Sequence, residues 1–239
     1  MKIVREHIFE EEEYKPKWIK GPTKEQVRAR LEPKLKGMTL EEKFKQAVEN
    51  GVTWLVQECI DAGYDPSARD NYAIKYASDS GHLEVVKALL ADKRVDPSAG
   101  DNYAIKYASD SGHLEVVKVL LADKRVDPSA GDNHAIWSAS SNGHLDVVKA
   151  LLADKRVDPS ADNNQAIWSA SDSGHLEVVK ALLADKRVDP SARDNWAIWS
   201  ASQYGHLEVV KELLKNKRVR EKLSPKLKEK YKELLEQYK

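Results

Sequence analysis

The stretch DNYAIKYASDSGHLEVVKALLADKRV, residues 70–95, decides the fold of this chain. Asn71 is a suitable N-cap for a first helix, and Gly81 supplies a residue that can turn the chain at its end. A second helix is predicted to start near Leu83, because its apolar residues recur at helical spacing. The pattern predicts two short antiparallel helices, which are too small to bury their own apolar face. The residues on one face of the second helix are Leu83, Val86, Leu89 and Leu90.

The same pattern returns along the chain in steps of 31 residues. The first two units, 65–95 and 96–126, differ only at Arg69 versus Gly100 and at Ala88 versus Val119. Such units bury a continuous core only by stacking on one another. Near-identity between copies indicates a recent duplication or a consensus design, and we favour design. The string DPSA opens the five units at Asp65, Asp96, Asp127, Asp158 and Asp189.

The repeated string resembles the ankyrin repeat family. The residues that carry the resemblance are Ala77 and Ser78, the string GHLEVV at 81–86, and Leu89 with Leu90. The string returns at Gly112, Gly143, Gly174 and Gly205. This chain departs from the family by carrying YAIK at 72–75 in place of TPLH and by a shorter connector, so a truncated finger is expected. Over residues 40–219 the resemblance implies an all-α fold: an ankyrin-repeat solenoid of stacked antiparallel helix pairs with capping helices.

We expect four segments along the chain. Residues 1–39 form an N-terminal arm and a helix, with a capping box at Thr23–Gln26 and a limit at Pro33; an extended arm or a short extra helix would suit 1–22. Residues 40–64 form a degenerate N-terminal capping repeat, in which Cys59 is a buried apolar residue. Residues 65–219 hold five ankyrin-like repeats. Residues 220–239 form one C-terminal capping helix that starts at Ser224, with Leu227, Tyr231, Leu234 and Leu235 inward.

Composition narrows the range of partners. The chain has 39 basic and 39 acidic residues, so no overall positive charge attracts nucleic acid or an anionic membrane. A single cysteine cannot form an internal disulfide, and no apolar run suits a signal peptide or a membrane span. We therefore expect a soluble, cytoplasmic monomer with no cofactor, no metal site and no membrane partner.

The five copies differ mainly on one face of the first helix. Ala73, Ile74, Ala77 and Ser78 never change, whereas the variable positions lie on the opposite side at 100° per residue. Aromatic residues dominate this variable face, and exposed aromatic rows are typical of interfaces. We predict a partner-binding surface made of Tyr72, Lys75, Tyr76, Tyr103, Lys106, Tyr107, His134, Trp137, Gln165, Trp168, Trp196, Trp199 and Tyr204.

The variable face has two blocks. The first two repeats carry Lys-Tyr, at 75–76 and 106–107, and the last three carry Trp-Ser, at 137–138, 168–169 and 199–200. A ladder of tryptophans suits a binding groove, in which a proline-containing or otherwise extended peptide would advance about three residues per repeat. The lysines would then prefer an acidic end. Alternatively, the change from Lys-Tyr to Trp-Ser serves internal packing, in which the larger tryptophan offsets the volume lost when serine replaces tyrosine.

Several other functions remain open at this stage. Stacked aromatic residues would also suit a globular protein epitope, a glycan or a single-stranded nucleic acid. A nucleic acid is disfavoured, because the variable face has few of the Lys and Arg residues that would pair with its phosphates. A designed scaffold without a ligand is a further alternative. An enzyme is not expected, because the chain has no Gly-rich phosphate loop, GxSxG or HExxH. The histidines at 82, 113, 144, 175 and 206 are interpreted as structural turn residues, and His134 as a weakly pH-dependent contact.

Overall fold

The computed structural model describes residues 23–238, and all of the regular secondary structure in that range is helical. The all-α class and the stacked helix pairs are therefore confirmed. The described residues fall into two compact units, one made of residues 23–77 and 82–96, the other of residues 78–81 and 97–238. The expectation of an arm or extra helix at 1–22 lies outside the described residues.

From residue 23 onward, the first unit contains five helices. Both predicted capping boxes are present, at Thr23–Gln26 and at Thr39–Glu42. Pro33 lies inside its helix, which ends two residues later, because a proline disturbs the preceding turn rather than the following one. The helices are α1 (Lys24–Leu35), α2 (Leu40–Glu49), α3 (Thr53–Asp61), α4 (Ala68–Asp79) and α5 (Leu83–Ala91); the last two residues of α4 belong to the second unit.

The second unit is a stack of helix pairs closed by three short helices. The first helices of the pairs, α6, α8, α10 and α12, contact one another in succession, and the second helices, α7, α9, α11 and α13, form a parallel row. Their bounds are α6 (Ala99–Asp110), α7 (Leu114–Ala122), α8 (Ala130–Ser141), α9 (Leu145–Ala153), α10 (Ala161–Asp172), α11 (Leu176–Leu183), α12 (Ala192–Gln203), α13 (Leu207–Leu214), α14 (Lys217–Glu221), α15 (Pro225–Lys230) and α16 (Lys232–Glu236).

A turn of left-handed backbone precedes the right-handed part of each first helix. In α6 this turn is Gly100, Asp101 and Asn102, with φ of 63°, 59° and 60°. Glycine adopts this region freely, and asparagine and aspartate tolerate it better than other residues do. Asn71 was predicted to be an N-cap, but its Oδ1 accepts a hydrogen bond from the backbone N–H of Asp96 at 2.7 Å. The asparagine thus joins its own repeat to the opening turn of the next repeat.

The C-terminal segment differs from the single helix that was predicted. Ser224 caps α15 and Pro225 stands in its first turn, as expected. The helix then breaks at Tyr231, whose φ of −113° and ψ of 26° separate α15 from α16. Leu227 and Tyr231 are buried, and the Tyr231 hydroxyl hydrogen-bonds to Ser202 Oγ of α12 at 2.8 Å. Burial of this ring anchors the end of the chain on the last helix pair, and Leu234 and Leu235 are only half-buried.

Candidate functional site

The first helices bury the constant face, and only part of the variable face is accessible. In α12, Ala197, Ile198 and Ala201 are buried in the core. On the other side of the same helix, Trp196 and Trp199 are each 42% exposed. The sequence comparison between copies therefore identified the buried face correctly.

Trp196 and Trp199 form one of two exposed aromatic pairs on the first helices of the second unit, and their rings lie closer together than those of Tyr103 and Tyr107. The two rings stack with their centroids 4.6 Å apart and an interplanar angle of 29°. Residues three positions apart on a helix are neighbours, so the spacing itself brings the rings together. The pair forms a stacked aromatic surface that is open to solvent.

Trp168 is covered in part by the next repeat. The Arg193 guanidinium lies 5.8 Å from the Trp168 ring centroid, and its Nη2 donates to Asp162 Oδ1 at 2.8 Å. The indole Nε1 of Trp168 is buried and has no hydrogen-bond partner among residues 23–238. Arg193 was not among the predicted site residues, although it stands where the two preceding repeats carry Gly131 and Asp162.

Trp137 makes the most complete set of internal contacts. Its Nε1 donates to Ser169 Oγ of the next repeat at 2.9 Å. When the Gln165 amide is oriented with its oxygen toward the indole, that oxygen also accepts from Nε1 at 2.9 Å, and its nitrogen donates to Asp162. The ring of His134 meets Trp137 edge-on, with centroids 4.6 Å apart. Trp137 is therefore half-buried by neighbours rather than presented freely.

The serine of each Trp-Ser pair is buried. Ser138, Ser169 and Ser200 are all shielded from solvent, and Ser169 lies beneath the indole of the preceding repeat. The small residue thus leaves room for the large one that reaches over it. This contact favours a packing role for Trp137, in which the small serine makes room for the indole. Trp199 instead keeps an exposed ring. The three tryptophans therefore do not have equivalent environments.

Helix α6 carries the Lys-Tyr version of the same positions. Lys106 is only 8% exposed, and its Nζ pairs with Asp101 Oδ2 at 2.5 Å. Tyr103 and Tyr107 lie with centroids 5.3 Å apart and are 42% and 43% exposed. The lysine charge is therefore compensated internally, while the two tyrosines remain accessible.

In the first unit, Tyr72, Lys75 and Tyr76 are half-buried on α4. The Tyr72 hydroxyl donates to Glu49 Oε1 at 3.2 Å, and burial raises the pKa of Tyr72 to about 12, with the Glu49 carboxylate adding to the rise. Lys75 Nζ pairs with Asp70 Oδ2 at 2.6 Å. The Tyr72 and Tyr76 rings have centroids 5.6 Å apart. These side chains repeat within the first unit the arrangement seen on α6.

His134 lies in a desolvated position between helices. Burial lowers the pKa of its imidazole, and the nearby positive charge of Lys106 lowers it further, against smaller opposite effects of Asp110 and Asp101. Nδ1 of His134 is buried without a hydrogen-bond partner among the described residues. The neutral form of the ring is therefore favoured at neutral pH.

Tyr204 does not lie on the helix face with the other aromatic residues. It follows the last residue of α12, next to Gly205 with φ of +80°, and is 63% exposed. Its accessible position is thus at the turn between α12 and α13. Leu207, at the start of α13, is 46% exposed beside it and was missed by the sequence analysis.

The regularly spaced histidines make contacts within the fold. His113 Nε2 lies 2.9 Å from the carbonyl oxygen of Asp79, and His144 Nε2 lies 2.8 Å from that of Asp110. No group of three or more His, Cys, Asp or Glu side chains in the described part of the chain is arranged to hold a metal ion. Cys59 is buried, and burial raises the pKa of its thiol, so it is not an activated nucleophile.

The first unit also contains an open cavity of about 430 Å³. Leu35, Leu40 and Trp54 contribute to its lining, and on its rim the Arg28 guanidinium lies over Trp54 and pairs with Glu58 at 3.1 Å. None of the predicted site residues lines this cavity. Its charged rim is already paired internally, so the cavity does not extend the candidate surface.

Comparison with known proteins agrees with this architecture. A family model described as ankyrin repeats (3 copies) matches residues 44–132 and 136–223, and the chain therefore belongs to the ankyrin repeat family. Ankyrin repeats generally mediate protein–protein binding and are typically not enzymes. A search of curated proteins gave no match. Within residues 23–238, no helix combines the length and apolar character needed to cross a membrane.

Proposed function

We propose that this chain is a non-catalytic repeat protein that binds a protein or an extended peptide on the aromatic stripe of its second unit. The aromatic stripe consists of Tyr103, Tyr107, His134, Trp137, Gln165, Trp168, Trp196 and Trp199. The observation that carries the proposal is the stacked pair of Trp196 and Trp199. Two large rings remain 42% exposed on the face of α12 that the core does not use.

Exposed stacked indoles favour binding for a physical reason. Aromatic side chains have few rotatable bonds, so they bury a large area at a low cost in conformational entropy. A face selected only for solubility would carry charged and small polar residues instead. The tryptophan pair is therefore the proposed anchor, and the less exposed Trp137 and Trp168 line the binding surface next to it.

The spacing of the first helices suits an extended ligand. Packed helices lie about 8–10 Å apart, and three residues of polyproline II rise about 9.3 Å and return to the same side. A proline-containing peptide could thus present one contact to each of α8, α10 and α12. Tyr72, Lys75 and Tyr76 offer a corresponding set on α4 within the first unit.

The internal contact of Trp137 with Ser169 favours a second function. If all of the tryptophans serve packing as Trp137 does, the chain is a structural scaffold without a ligand. The near-identity of the repeats suits a consensus-designed array of this kind. The two functions differ in whether the exposed pair on α12 is needed for anything besides folding.

Peptide-display selection on the full chain tests the proposal. A Trp196→Ala, Trp199→Ala variant, first shown to be equally helical and stable, is selected beside the parent. We expect the parent to enrich extended or proline-containing peptides and the variant to lose that enrichment. The control is Tyr103→Ala, Tyr107→Ala, which removes an equally exposed aromatic pair and shows how far the ligand extends toward α6. Equal enrichment by the parent and the tryptophan variant would contradict the proposal.

A further inference from the structure

Neighbouring repeats of the second unit are joined by a contact between a histidine and a glycine. In each case the imidazole Nε2 lies 2.8–3.0 Å from a backbone carbonyl oxygen two residues before a glycine of the preceding repeat. The ring covers that glycine so closely that a Cβ built on it would meet the imidazole Nδ1 at 2.5–2.6 Å. The pairs are His113 with Gly81, His144 with Gly112, His175 with Gly143, and His206 with Gly174.

The last repeat has the same glycine turn between its two helices, but none of the histidines that the structure describes covers it. Gly205 has a φ of +80°, as its counterparts do, but a Cβ built on it would meet nothing within 4 Å. Among residues 23–238, no hydrogen bond of the structure ends on the carbonyl oxygen of Gln203, which is the equivalent acceptor. Tyr204 and Leu207, on either side, are 63% and 46% exposed. We name Gln203, Tyr204, Gly205 and Leu207 the open corner.

The C-terminal helices cover other parts of the last repeat. Tyr231 and Lys230 hydrogen-bond to Ser202, and the Asn195 side-chain nitrogen donates to the carbonyl oxygen of Val219 at 2.9 Å. In the other repeats the equivalent asparagine contacts the opening turn of the next repeat, and in the last repeat Val219 is its partner instead. No comparable group of the described chain reaches Gly205, so the capping of the stack stops short of the open corner.

The sequence at the open corner also departs from the repeat. The internal corners carry Asp-Ser or Ser-Asn before their glycine, whereas this corner carries Gln203 and Tyr204. The internal residues are small, and Ser111 and Asn142 hydrogen-bond back to the preceding repeat. Tyr204 therefore places an exposed aromatic ring where the internal repeats carry serine or asparagine.

We propose that the open corner binds a histidine side chain presented by a loop of a partner protein. The imidazole N–H would donate to the Gln203 carbonyl oxygen, its ring would cover Gly205, and Tyr204 and Leu207 would flank it with apolar surface. The four internal pairs show that this backbone geometry accepts a histidine. The five loop histidines already face carbonyl oxygens within the described chain, so none of them is the occupant, and we assign this role to a histidine of another protein.

The test uses the loop of the chain itself as the probe. A free peptide with the sequence of residues 80–91, SGHLEVVKALLA, is acetylated, amidated and titrated into the full ¹⁵N-labelled chain, beside the same peptide carrying His82→Ala. We expect the backbone amide signals of Gly205 and Leu207 to shift with the histidine peptide and not with the alanine peptide. Losing one hydrogen bond together with ring contact should weaken binding about tenfold or more.

Substitutions in the chain locate the site. Gly205→Ala places a Cβ where the ring would lie and should abolish the shifts, whereas Gly63→Ala, also at positive φ with open space around it, should retain them. If Gly205→Ala does not fold, Tyr204→Ser with Leu207→Ser removes only the flanking side chains and should weaken binding several-fold. The Trp196→Ala, Trp199→Ala variant should bind the probe like the parent, which separates this site from the aromatic stripe. The proposal is overturned if the parent shows no shift at millimolar probe, or if the shifts survive the loss of either the histidine or Gly205.

Discussion

The imidazole of His144 lies directly on Gly112 of the preceding repeat. Its Nε2 is 2.8 Å from the carbonyl oxygen of Asp110, so Nε2 carries the hydrogen and donates. A Cβ on Gly112 would come within 2.6 Å of Nδ1, closer than atoms in contact approach. The glycine is therefore required twice, once for its φ of +78° and once for the histidine that covers it.

Two alanine substitutions separate these requirements. Gly205→Ala introduces a side chain at positive φ into open space and should cost about 1–2 kcal/mol of unfolding free energy. Gly112→Ala carries the same backbone cost and also displaces His144, so we expect about 1–3 kcal/mol more. Chemical denaturation of both variants beside the parent measures the difference. Equal losses would show that His144 moves aside freely.

The left-handed turns offer a second matched pair. Asp132 and Asn133 are neighbours with φ of 54° and 61°, but only Asn133 is buried, and its Oδ1 accepts from the backbone N–H of Asp158 at 2.7 Å. Asp132→Ala should cost about 1 kcal/mol, because alanine tolerates the left-handed region poorly. Asn133→Ala should cost a further 1–3 kcal/mol or so, because it leaves the Asp158 N–H without its partner. Urea unfolding gives both values, and similar costs would contradict a joining role for Asn133.

A double-mutant cycle tests whether the tryptophan and serine positions compensate each other. Ser169→Tyr introduces the residue of the Lys-Tyr repeats beneath the Trp137 indole and should be strongly destabilising, because the interior is close-packed. In a Trp137→Lys background the same change should be tolerated better. We expect a coupling energy of about 1–3 kcal/mol between the two sites. Additive effects would mean that the indole does not depend on the serine beneath it.

The lowered pKa of His134 predicts a pH effect on stability. The folded state favours the neutral ring, so the stabilisation is complete above the unfolded pKa of about 6.5 and is lost as the pH falls below it. Replacing His134 by Gln, the residue at the equivalent position 165, removes this dependence. The unfolding free energy of His134→Gln should therefore fall less between pH 7.5 and pH 5 than that of the parent. The other histidines are present in both proteins, so a denaturation series across this range isolates His134, and parallel curves would contradict the assignment.

The sequence alone determined the repeat, the helix pairs and the constant face of the first helices. This was possible because every copy must stack on an almost identical neighbour, so residues such as Ala73 and Ile74 cannot vary without disturbing the stack. The stop at Gly81, the start at Leu83 and both N-terminal capping boxes depend on local chemistry and were equally readable.

Only the tertiary structure decided what each variable side chain contacts. Three tryptophans in identical local sequence differ in exposure, because Trp137 reaches Ser169 of the next repeat, Trp168 lies beneath Arg193, and Trp199 stacks on Trp196. The bond from Asn71 to Asp96 and the contact between His144 and Gly112 likewise join residues that are 25 and 32 positions apart. Local sequence sets backbone propensity and helix faces, whereas the partners of a side chain depend on which repeat lies beside it, and at Gly205 on the absence of a following histidine from the described chain.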